Sequence, residues 1–380
     1  MRAEVPLVKR IGSLASRASA SVLGRRVRTV PAAVLRGSET IHLGGGESIP
    51  CPGIDQLPLA RQAKLRGLGL PSLALPPAKV YVLKDVRICP GSRVVSTKDG
   101  RVVAESLTTD MIDSLDLVNS ELRSEPLRLE GTIALYRSPW RPQFHTLVDH
   151  LPRAALLSQP AMRRLGQITV VHDGALSDVE ERWLPRLAGQ NVRLLRVEPG
   201  TALVADRILL PGFVTRPFAG ALPSWYRRWV DHEVASIRAE TEVAAGAPRR
   251  YFIERLGGTR RVRNVDALQE VLDRHGVTTI RPSGMKVAER MATFRDAEMV
   301  IGVTGSGLAN LVFSRSTRIV ELLPGTQLLP NFYYLAASKG LPYHYVPVVG
   351  DDLPMDAVER LGMDVHVDVA ALDEVLTKVC

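Results

Sequence analysis

Cysteines, aromatic residues and long apolar runs are all scarce in this chain of 380 residues. The three cysteines, Cys51, Cys89 and Cys380, lie far apart and without C-x-x-C spacing, which argues against a disulfide framework and against a cysteine zinc site. No apolar run approaches the ~20 residues that a membrane-spanning helix needs. These absences predict a soluble protein of a reducing compartment, and we expect it to be cytoplasmic.

Acidic residues are outnumbered by basic ones. Lysine and arginine together number 49 against 40 acidic residues, so the formal net charge is +9. Such an excess could attract nucleic acid, anionic lipid or phosphorylated substrates. Aromatic residues make up only 5% of the chain, which leaves few platforms for stacking bases, and neither a zinc-finger nor an RNP-like motif occurs. We therefore expect no nucleic acid among the partners.

Acidic residues are nearly missing from EVPLVKRIGSLASRASASVLGRRVR, the stretch over 4–28. On a helix, the basic residues Lys9, Arg10 and Arg17 would lie opposite an apolar arc formed by Leu7, Val8, Ile11, Leu14, Ala15 and Val22. This pattern is typical of a helix in a membrane interface, and it predicts peripheral contact with the inner face of the membrane. A helix packed on the protein's own surface and an unstructured tail are the alternatives. A signal peptide is not indicated, because the apolar residues form no continuous run.

The remaining sequence divides into an irregular beginning and two successive α/β halves. Residues 37–80 are rich in glycine and proline and are interpreted as an irregular lead-in. Strand-like runs begin at Val80, and from Phe144 helix and strand patterns alternate, as in βαβ units with a parallel sheet. The small residues of EVAAGAPRR predict a linker over 242–250 before a second alternating set. The predicted parts are an N-terminal extension over 1–78, Rossmann-like domains over 79–241 and 251–350, and a C-terminal segment with a helix over 351–380.

A glycine turn in the second half is the first candidate site. In VIGVTGSGLANLVF, Gly305, Ser306 and Gly307 follow an apolar run and precede a predicted helix. Backbone N–H groups at such a helix start favour an anion, and a phosphate is the natural ligand. Glycines also occur wherever a chain reverses tightly, so the turn alone is a weak indication.

Charged residues near the neighbouring strand ends extend this candidate site. Glu321, in RIVELLP, is placed to accept ribose hydroxyls at the end of the next strand, and a solvated strand-end carboxylate is the alternative. The segment ERLGGTRRVRN gathers the arginines Arg255, Arg260, Arg261 and Arg263. Guanidinium groups match phosphate oxygens, so these arginines could neutralise a leaving diphosphate. A basic surface loop is the alternative.

A histidine and an aspartate form the candidate catalytic pair. In PQFHTLVDHLPRA, His145 and Asp149 are spaced i and i+4 on one predicted helix, so their side chains can touch. Such a pair at a cleft edge can deprotonate an alcohol. In the structural alternative, His145 caps the helix and Asp149 pairs with Arg153, which is also spaced i and i+4.

Taken in order, FHTLVDHLPR, YFIERLGGTRRVRNVDAL, AEMVIGVTGSGLANLVF and IVELLP resemble glycosyltransferase family 61, the family of capsular-polysaccharide-type transferases. The resemblance extends from about Gly131 to the C-terminus. It implies an α/β fold of two Rossmann-like domains facing across a cleft, called GT-B, with the donor in the domain over 251–350 and the acceptor in the other. The positions it implies are His145, Asp149, Pro152, Arg153, Arg255, Arg261, Asn264, Gly305, Gly307, Asn310 and Glu321.

The sequence departs from the family's usual pattern at two positions. Thr304 stands where the family usually has histidine, and Val265 where it usually has glutamate. Thr304 can donate a hydrogen bond to a phosphate oxygen but cannot act as a base. We therefore keep a non-catalytic, sugar-nucleotide-binding or polysaccharide-binding relative as the alternative to an enzyme.

The resulting hypothesis is an inverting transferase that moves a sugar from a nucleotide sugar, UDP-linked in the first instance, to a glycan or polysaccharide hydroxyl. His145 or Asp149 is the predicted base. No cofactor is expected, and no metal, because a D-x-D motif is missing from the sequence. The predicted donor-binding residues are Arg255, Arg261, Asn264, Thr304, Gly305, Ser306, Gly307, Asn310 and Glu321.

Overall fold

The computed structural model describes residues 28–53, 57, 72–107, 115–189, 191–237, 248–255, 260–324, 330–350 and 364–380. The predicted amphipathic helix, most of the 242–250 linker and the glycine pair at 257–258 lie outside these residues. The chain forms two compact units of mixed α/β structure. Unit one takes Met1–Gly44, Ala78–Arg141 and Arg153–Phe213, and unit two takes Gly45–Pro77, Pro142–Pro152 and Val214–Cys380. The sequence-based domain boundaries follow a different division and stay a prediction.

The main sheet of unit one is built around parallel strands. Its strands, in spatial order, are Val192–Val197, Ile168–Asp173, Thr132–Leu135, Arg207–Pro211, Lys79–Leu83 and Glu39–His42. The first four are parallel, and the last two run antiparallel to their neighbours. Two of the parallel strands are buried along their whole length, which explains their continuous apolar sequences. Numbered along the chain, the parallel strands have the order 3-2-1-4 of a Rossmann half.

A second sheet and short helices complete unit one. The strands of this sheet, in spatial order, are Thr29–Val30, Val102–Val103, Val94–Thr97, Val86–Cys89, Leu203–Val204 and Leu127–Arg128. The α-helices are Leu115–Arg123 and Asp178–Ala188, and 3-10 helices span Ala32–Val34, Ala104–Ser106 and Pro160–Leu165. Ser177 and Glu180 form a capping box at the start of Asp178–Ala188, which fixes where that helix begins.

The sheet of unit two is parallel except for its last strand. Its strands, in spatial order, are Thr278–Ile280, Arg250–Ile253, Met299–Val303, Arg318–Pro324, Tyr343–Gly350 and Val365–Val367. Numbered along the chain, the parallel strands have the order 2-1-3-4-5 of a doubly wound fold. The order reverses between Arg250–Ile253 and Met299–Val303, so the carboxyl ends of these strands flank the switch point at which such sheets bind ligands.

Helices and a hairpin accompany this sheet. The α-helices are Ser224–Ser236, Val265–Arg274, Val287–Asp296, Asn331–Lys339 and Val369–Val379, and 3-10 helices span Pro282–Gly284 and Ser306–Phe313. The hairpin pairs Glu47–Pro50 with Ser72–Leu75. Phe252, Leu268, Leu272, Ile301 and Val303 belong to one core cluster, which fastens helix Val265–Arg274 to one face of the sheet.

The structure corrects the sequence interpretation in two places. Residues 37–80 are not simply irregular, because they contribute strands Glu39–His42, Glu47–Pro50, Ser72–Leu75 and the start of Lys79–Leu83. Their alternating buried residues, such as Leu73 and Leu75, were hidden among glycines and prolines. The first of the strand-like runs, VYVLKDVRI from Val80, is part of two strands, Lys79–Leu83 and Val86–Cys89, because Asp85 has a positive φ of 55° and turns the chain between them. Among the described residues, no helix has both the length and the apolar character needed to cross a membrane.

Candidate functional site

The glycine turn leads from strand Met299–Val303 into the 3-10 helix Ser306–Phe313, where the sequence predicted a helix. Gly307 is required by packing, because a Cβ atom there would lie 2.9 Å from Cγ2 of Ile253 on the neighbouring strand. Asn310 is 1% exposed, and its Nδ2 donates to the Gly307 carbonyl at 2.9 Å. Ser306 is half-buried at the first position of the helix. Gly307 and Asn310 therefore fix the shape of the turn.

Two arginines lie against this turn. A Cβ atom on Gly305 would lie 1.6 Å from Nη1 of Arg255, so the glycine leaves room for that guanidinium. Nη1 of Arg260 donates to the Thr304 carbonyl at 2.7 Å, and Nη1 of Arg255 approaches the same oxygen at 3.4 Å. The sequence placed both arginines in a basic loop but selected only Arg255 as a donor-binding residue. The structure brings Arg255, Arg260 and the turn together.

The charges of these two arginines are not balanced within the described part of the chain, where neither forms an ion pair with a carboxylate. Burial lowers the pKa of Arg255. Burial, and then the charge of Arg255, lowers the pKa of Arg260 to about 10, with Glu321 opposing the shift. A cationic pair with lowered pKa values is stabilised by any anion that reaches it.

Arg261 and Asn264 have partners in another part of the unit. Arg261 is exposed and pairs with Asp364 at 2.8 Å, which raises the pKa of Arg261. Asn264 precedes helix Val265–Arg274, as predicted, but its side chain does not cap that helix. Its amide instead pairs with the backbone of Val367, with Nδ2 donating to the carbonyl at 2.8 Å and Oδ1 accepting from the N–H at 2.9 Å. These two predicted donor-binding residues therefore fasten the loop to the last strand.

Glu321 lies in the middle of strand Arg318–Pro324 rather than at its end, and it is 1% exposed. Thr304 donates its hydroxyl to Oε1 of Glu321 at 2.6 Å, and the hydroxyl of Tyr343 donates to Oε2. The expected contacts, of Glu321 with ribose and of Thr304 with phosphate, are not what this geometry offers, because the buried carboxylate and the single hydroxyl proton are used internally. Instead, the bond between Thr304 and Glu321 fixes the backbone directly before the glycine turn.

The candidate catalytic pair lies in a helix that changes its winding. The helix begins as Gln143–His145, passes through a π-helical turn at Thr146–His150 and continues as Leu151–Leu156. The N–H of Leu151 donates to the carbonyl of Thr146, five residues back. Pro152 has no N–H with which to continue a regular α-helical ladder, which accounts for the irregular turn. Such turns are frequent at functional sites.

The predicted contact between His145 and Asp149 is present. Nδ1 of His145 lies 2.6 Å from Oδ2 of Asp149, whose side chain is completely buried. Thr215 donates to Oδ1 of Asp149 at 2.6 Å, and Nη2 of Arg216 donates to Oδ2 at 2.8 Å. The predicted alternative partner, Arg153, instead donates to the carbonyl of Pro211. Sequence analysis missed Thr215 and Arg216, and the only signal for them was their position shortly after a predicted strand.

The surroundings of Asp149 keep it ionised. Burial alone would raise its pKa, but the charge of Arg216 and the hydrogen bonds from His145 and Thr215 hold the pKa well below the usual carboxyl range. An ionised Asp149 can only accept hydrogen bonds, so the proton between the two side chains resides on Nδ1 of His145. This tautomer leaves Nε2 as the basic nitrogen. The 14% of the His145 side chain that is exposed keeps part of the ring accessible.

Both parts of the site lie in unit two, although they are distant in the sequence. The helical turn Gln143–His145 and the π-helical turn Thr146–His150 pack against the 3-10 helix Ser306–Phe313. Phe144 is fixed by an edge-to-face contact with Phe332, with ring centroids 5.5 Å apart. The structure thus places the His145–Asp149 pair beside the helix that starts at the glycine turn.

No group of three histidine, cysteine, aspartate or glutamate side chains suited to a metal ion occurs among the described residues. Comparison with known proteins gives one family match, and no curated protein matches the chain. Residues 144–320, which contain the His145–Asp149 pair, both arginines and the glycine turn, match the model described as Glycosyltransferase 61. This match confirms the resemblance to glycosyltransferase family 61 that the sequence motifs predicted, and it applies to residues 144–320.

Proposed function

We propose that the protein is an inverting glycosyltransferase that uses a nucleotide-sugar donor, with a UDP-linked sugar as the first candidate. The observation that carries the proposal is the cationic pair Arg255 and Arg260, which lacks a carboxylate partner within the described residues and faces the glycine turn. The pair adjoins the switch point of the parallel sheet, where ligands of this fold bind. The match of residues 144–320 to the family 61 model supports a sugar-transfer reaction.

The chemistry of the turn suits a diphosphate. Two guanidinium groups can bind phosphate oxygens in charge-assisted hydrogen bonds, and N–H groups at the start of the helix add partial positive charge. Negative charge increases on the diphosphate as its bond to the sugar breaks. Because Arg255 and Arg260 are already held in place, they stabilise this developing charge without further reorganisation.

We assign the role of general base to His145 and not to Asp149. The low pKa of Asp149 makes it a poor proton acceptor, and its hydrogen bonds to Thr215 and Arg216 hold it in position. Nε2 of His145 takes the proton of the acceptor hydroxyl while that oxygen attacks the anomeric carbon. The bond from this carbon to the diphosphate oxygen breaks with its electron pair, and the single displacement inverts the anomeric centre.

The proposal includes a GT-B arrangement, with the donor bound by unit two and a glycan or polysaccharide acceptor contributed through unit one. Its support is that each unit contains parallel strands in a Rossmann-type order. A role in capsular or other cell-envelope polysaccharide synthesis, with the N-terminal segment on the inner face of the membrane, fits such an acceptor.

Donor binding and donor turnover, measured side by side, test the assignment of His145. We expect His145→Ala to lower transfer or donor hydrolysis by about 10²- to 10⁴-fold, because a lost general base costs that much, while donor affinity stays nearly unchanged. Asp149→Asn should also lower turnover, since an amide no longer selects the productive tautomer. Gln143→Ala, on the same helical turn but outside the pair, is the matched control.

Full activity of folded His145→Ala would reject this residue as the base. A wild-type protein that binds nucleotide sugars but turns over none of a broad panel would favour the non-catalytic alternative. Thr304 would then be the first residue to examine, because histidine is usual there and the threonine hydroxyl is engaged by Glu321.

A further inference from the structure

A cavity of about 190 Å³ opens beside Arg255 at the carboxyl ends of strands Arg250–Ile253 and Met299–Val303. Its walls are mainly apolar, and Arg255, Arg261, Glu254, Gln269 and Thr279 supply the polar lining. The apolar wall consists of Phe252, Ile253, Val262, Leu268, Leu272 and Val303. The carboxylate of Glu254 is paired with Arg281 at 2.7 Å, so its charge is matched.

The position of the cavity relates it to one end of a nucleotide sugar. Helix Val265–Arg274 lines it and covers the sheet face that carries Phe252 and Val303. The 3-10 helix Ser306–Phe313 lies over the opposite face, where Gly307 contacts Ile253, and His145 belongs to the helix packed against it. A diphosphate at Arg255 would therefore have the candidate base on one side and this cavity on the other. Since the transferred sugar must lie on the side of His145, the cavity is left for the nucleoside.

The volume of the cavity limits which part of the donor it can bind. Pockets for drug-sized ligands enclose about 300–1,000 Å³, so a cavity of about 190 Å³ takes a fragment of the donor rather than the whole molecule. A flat heterocycle between apolar walls suits this volume, whereas the hydroxyl-rich ribose is better placed in the open, nearer the diphosphate.

Gln269 gives the cavity a group that can recognise the edge of a base. Its Nε2 donates to Asp273 at 2.7 Å, and its Oε1 accepts from Thr279 at 3.3 Å. These bonds orient the amide and leave it one further N–H and one further lone pair. Side-by-side donor and acceptor groups of this kind match the edge of a nucleobase in a bidentate manner.

We propose that this cavity binds the nucleobase of the donor, with Gln269 reading the base edge. The inference rests on the proposed function, because it needs a diphosphate at Arg255 and Arg260. Val265, half exposed as the first residue of the helix, gives the mouth of the cavity an apolar rim at a position where the family usually has glutamate. A base entering over this rim meets apolar surface and no carboxylate from residue 265.

The affinities of inorganic pyrophosphate and UDP, measured by calorimetry, test the proposal in the full chain. Thr279→Phe places an aromatic ring on the cavity side of strand Thr278–Ile280, and we expect it to weaken UDP at least about tenfold while leaving pyrophosphate unchanged. Thr278→Phe is the matched control, because neighbouring strand residues point to opposite faces. Gln269→Leu should weaken UDP by about tenfold, as expected for loss of a bidentate pair.

The outcomes separate this inference from the proposed function. If pyrophosphate and UDP bind but UDP affinity is indifferent to both Thr279→Phe and Gln269→Leu, the base lies elsewhere and the cavity assignment is wrong. If the wild-type protein binds neither ligand, the diphosphate site itself fails. If Thr279→Phe does not fold, judged by circular dichroism, Gln269→Leu alone decides between these results.

Discussion

Arginines gather at the carboxyl edge of a parallel sheet in both units, but the two beside the glycine turn of unit two differ from those of unit one, because they form no carboxylate pair among the described residues. There Arg137 donates to Glu180 at 2.8 Å and to Asp173 at 3.2 Å, and Arg93 donates to Asp173 at 2.7 Å. In unit two, Arg255 and Arg260 meet the carbonyl of Thr304 and form no carboxylate pair among the described residues. The same residue type in the same place of similar sheets is therefore used in two ways.

The pKa values of Arg137 and Arg260 shift in opposite directions, in line with the carboxylate partners that, among the described residues, only Arg137 has of the two. Burial lowers the pKa of Arg137, but the charges and hydrogen bonds of Tyr136, Glu180 and Asp173 outweigh burial and raise it. For Arg260, burial and the neighbouring Arg255 lower the pKa to about 10. A buried charge that is already paired stabilises the fold, whereas a charge that forms no carboxylate pair among the described residues can pair with a bound anion.

Arg137→Ala should give the largest effect. It leaves the buried carboxylates of Asp173 and Glu180 without their shared partner, and breaking such a pair costs about 3–5 kcal/mol of the free energy of unfolding. Denaturant titration measures the loss. Arg101→Ala, which removes an exposed pair with Asp99, is the control and should cost far less, because water screens exposed charges. A loss for Arg137→Ala no larger than that of the control would contradict the structural role.

Arg260→Ala should do the opposite, with little change in stability and a clear loss of affinity. Removing one charged hydrogen-bond donor to a phosphate costs about 1.5–3 kcal/mol, or about ten- to hundredfold in the Kd of UDP. Arg274→Ala is the control, because Arg274 is exposed and paired with Asp373. Calorimetric titration with UDP would refute the distinction if the two variants lost affinity equally, or if Arg274→Ala lost more.

The smallest effect should be a pH dependence of stability carried by Asp173. Burial would raise its pKa, but the hydrogen bond and charge of Arg93, followed by the charges of Arg141 and Arg137, lower it overall. A carboxyl whose pKa is lowered by folding stabilises the protein above its unfolded value of about 3.9, and this contribution is lost as the pH falls through the folded value. The stability advantage of wild type over Asp173→Asn should therefore shrink as the pH falls below about 4. A constant difference between pH 7 and pH 3 would count against the ion pair.

Much of unit two could be predicted from sequence because its signals are local. Alternating strand and helix patterns located the strands from Arg250 to the Tyr343 strand, and the i, i+4 spacing predicted the His145–Asp149 contact. The glycine turn was found because Gly305 and Gly307 follow a buried strand. Each of these features depends on residues close together in the chain.

The partners of these residues could not be predicted, because tertiary packing brings them together. Thr215 and Arg216 reach Asp149 from a segment after strand Arg207–Pro211, with no spacing rule to connect them. Glu321 looked like a strand-end ligand residue until the pairing register placed it beside Tyr345, within the strand. The sequence could not show that Arg261 is paired with a carboxylate while Arg260 lies against the glycine turn, because Asp364, the partner of Arg261, is far from it in the chain.

Unit two is built from three separate stretches of the chain, so no single continuous fragment contains unit two alone. A fragment beginning at Val214 would keep the parallel sheet but lose the His145 helix and the hairpin of Glu47–Pro50 with Ser72–Leu75. During synthesis, Phe144 must wait for Phe332 to leave the ribosome before their rings can pack. Such long-range closure slows folding. A single continuous fragment that keeps the glycine turn together with the His145–Asp149 pair must therefore also include much of unit one.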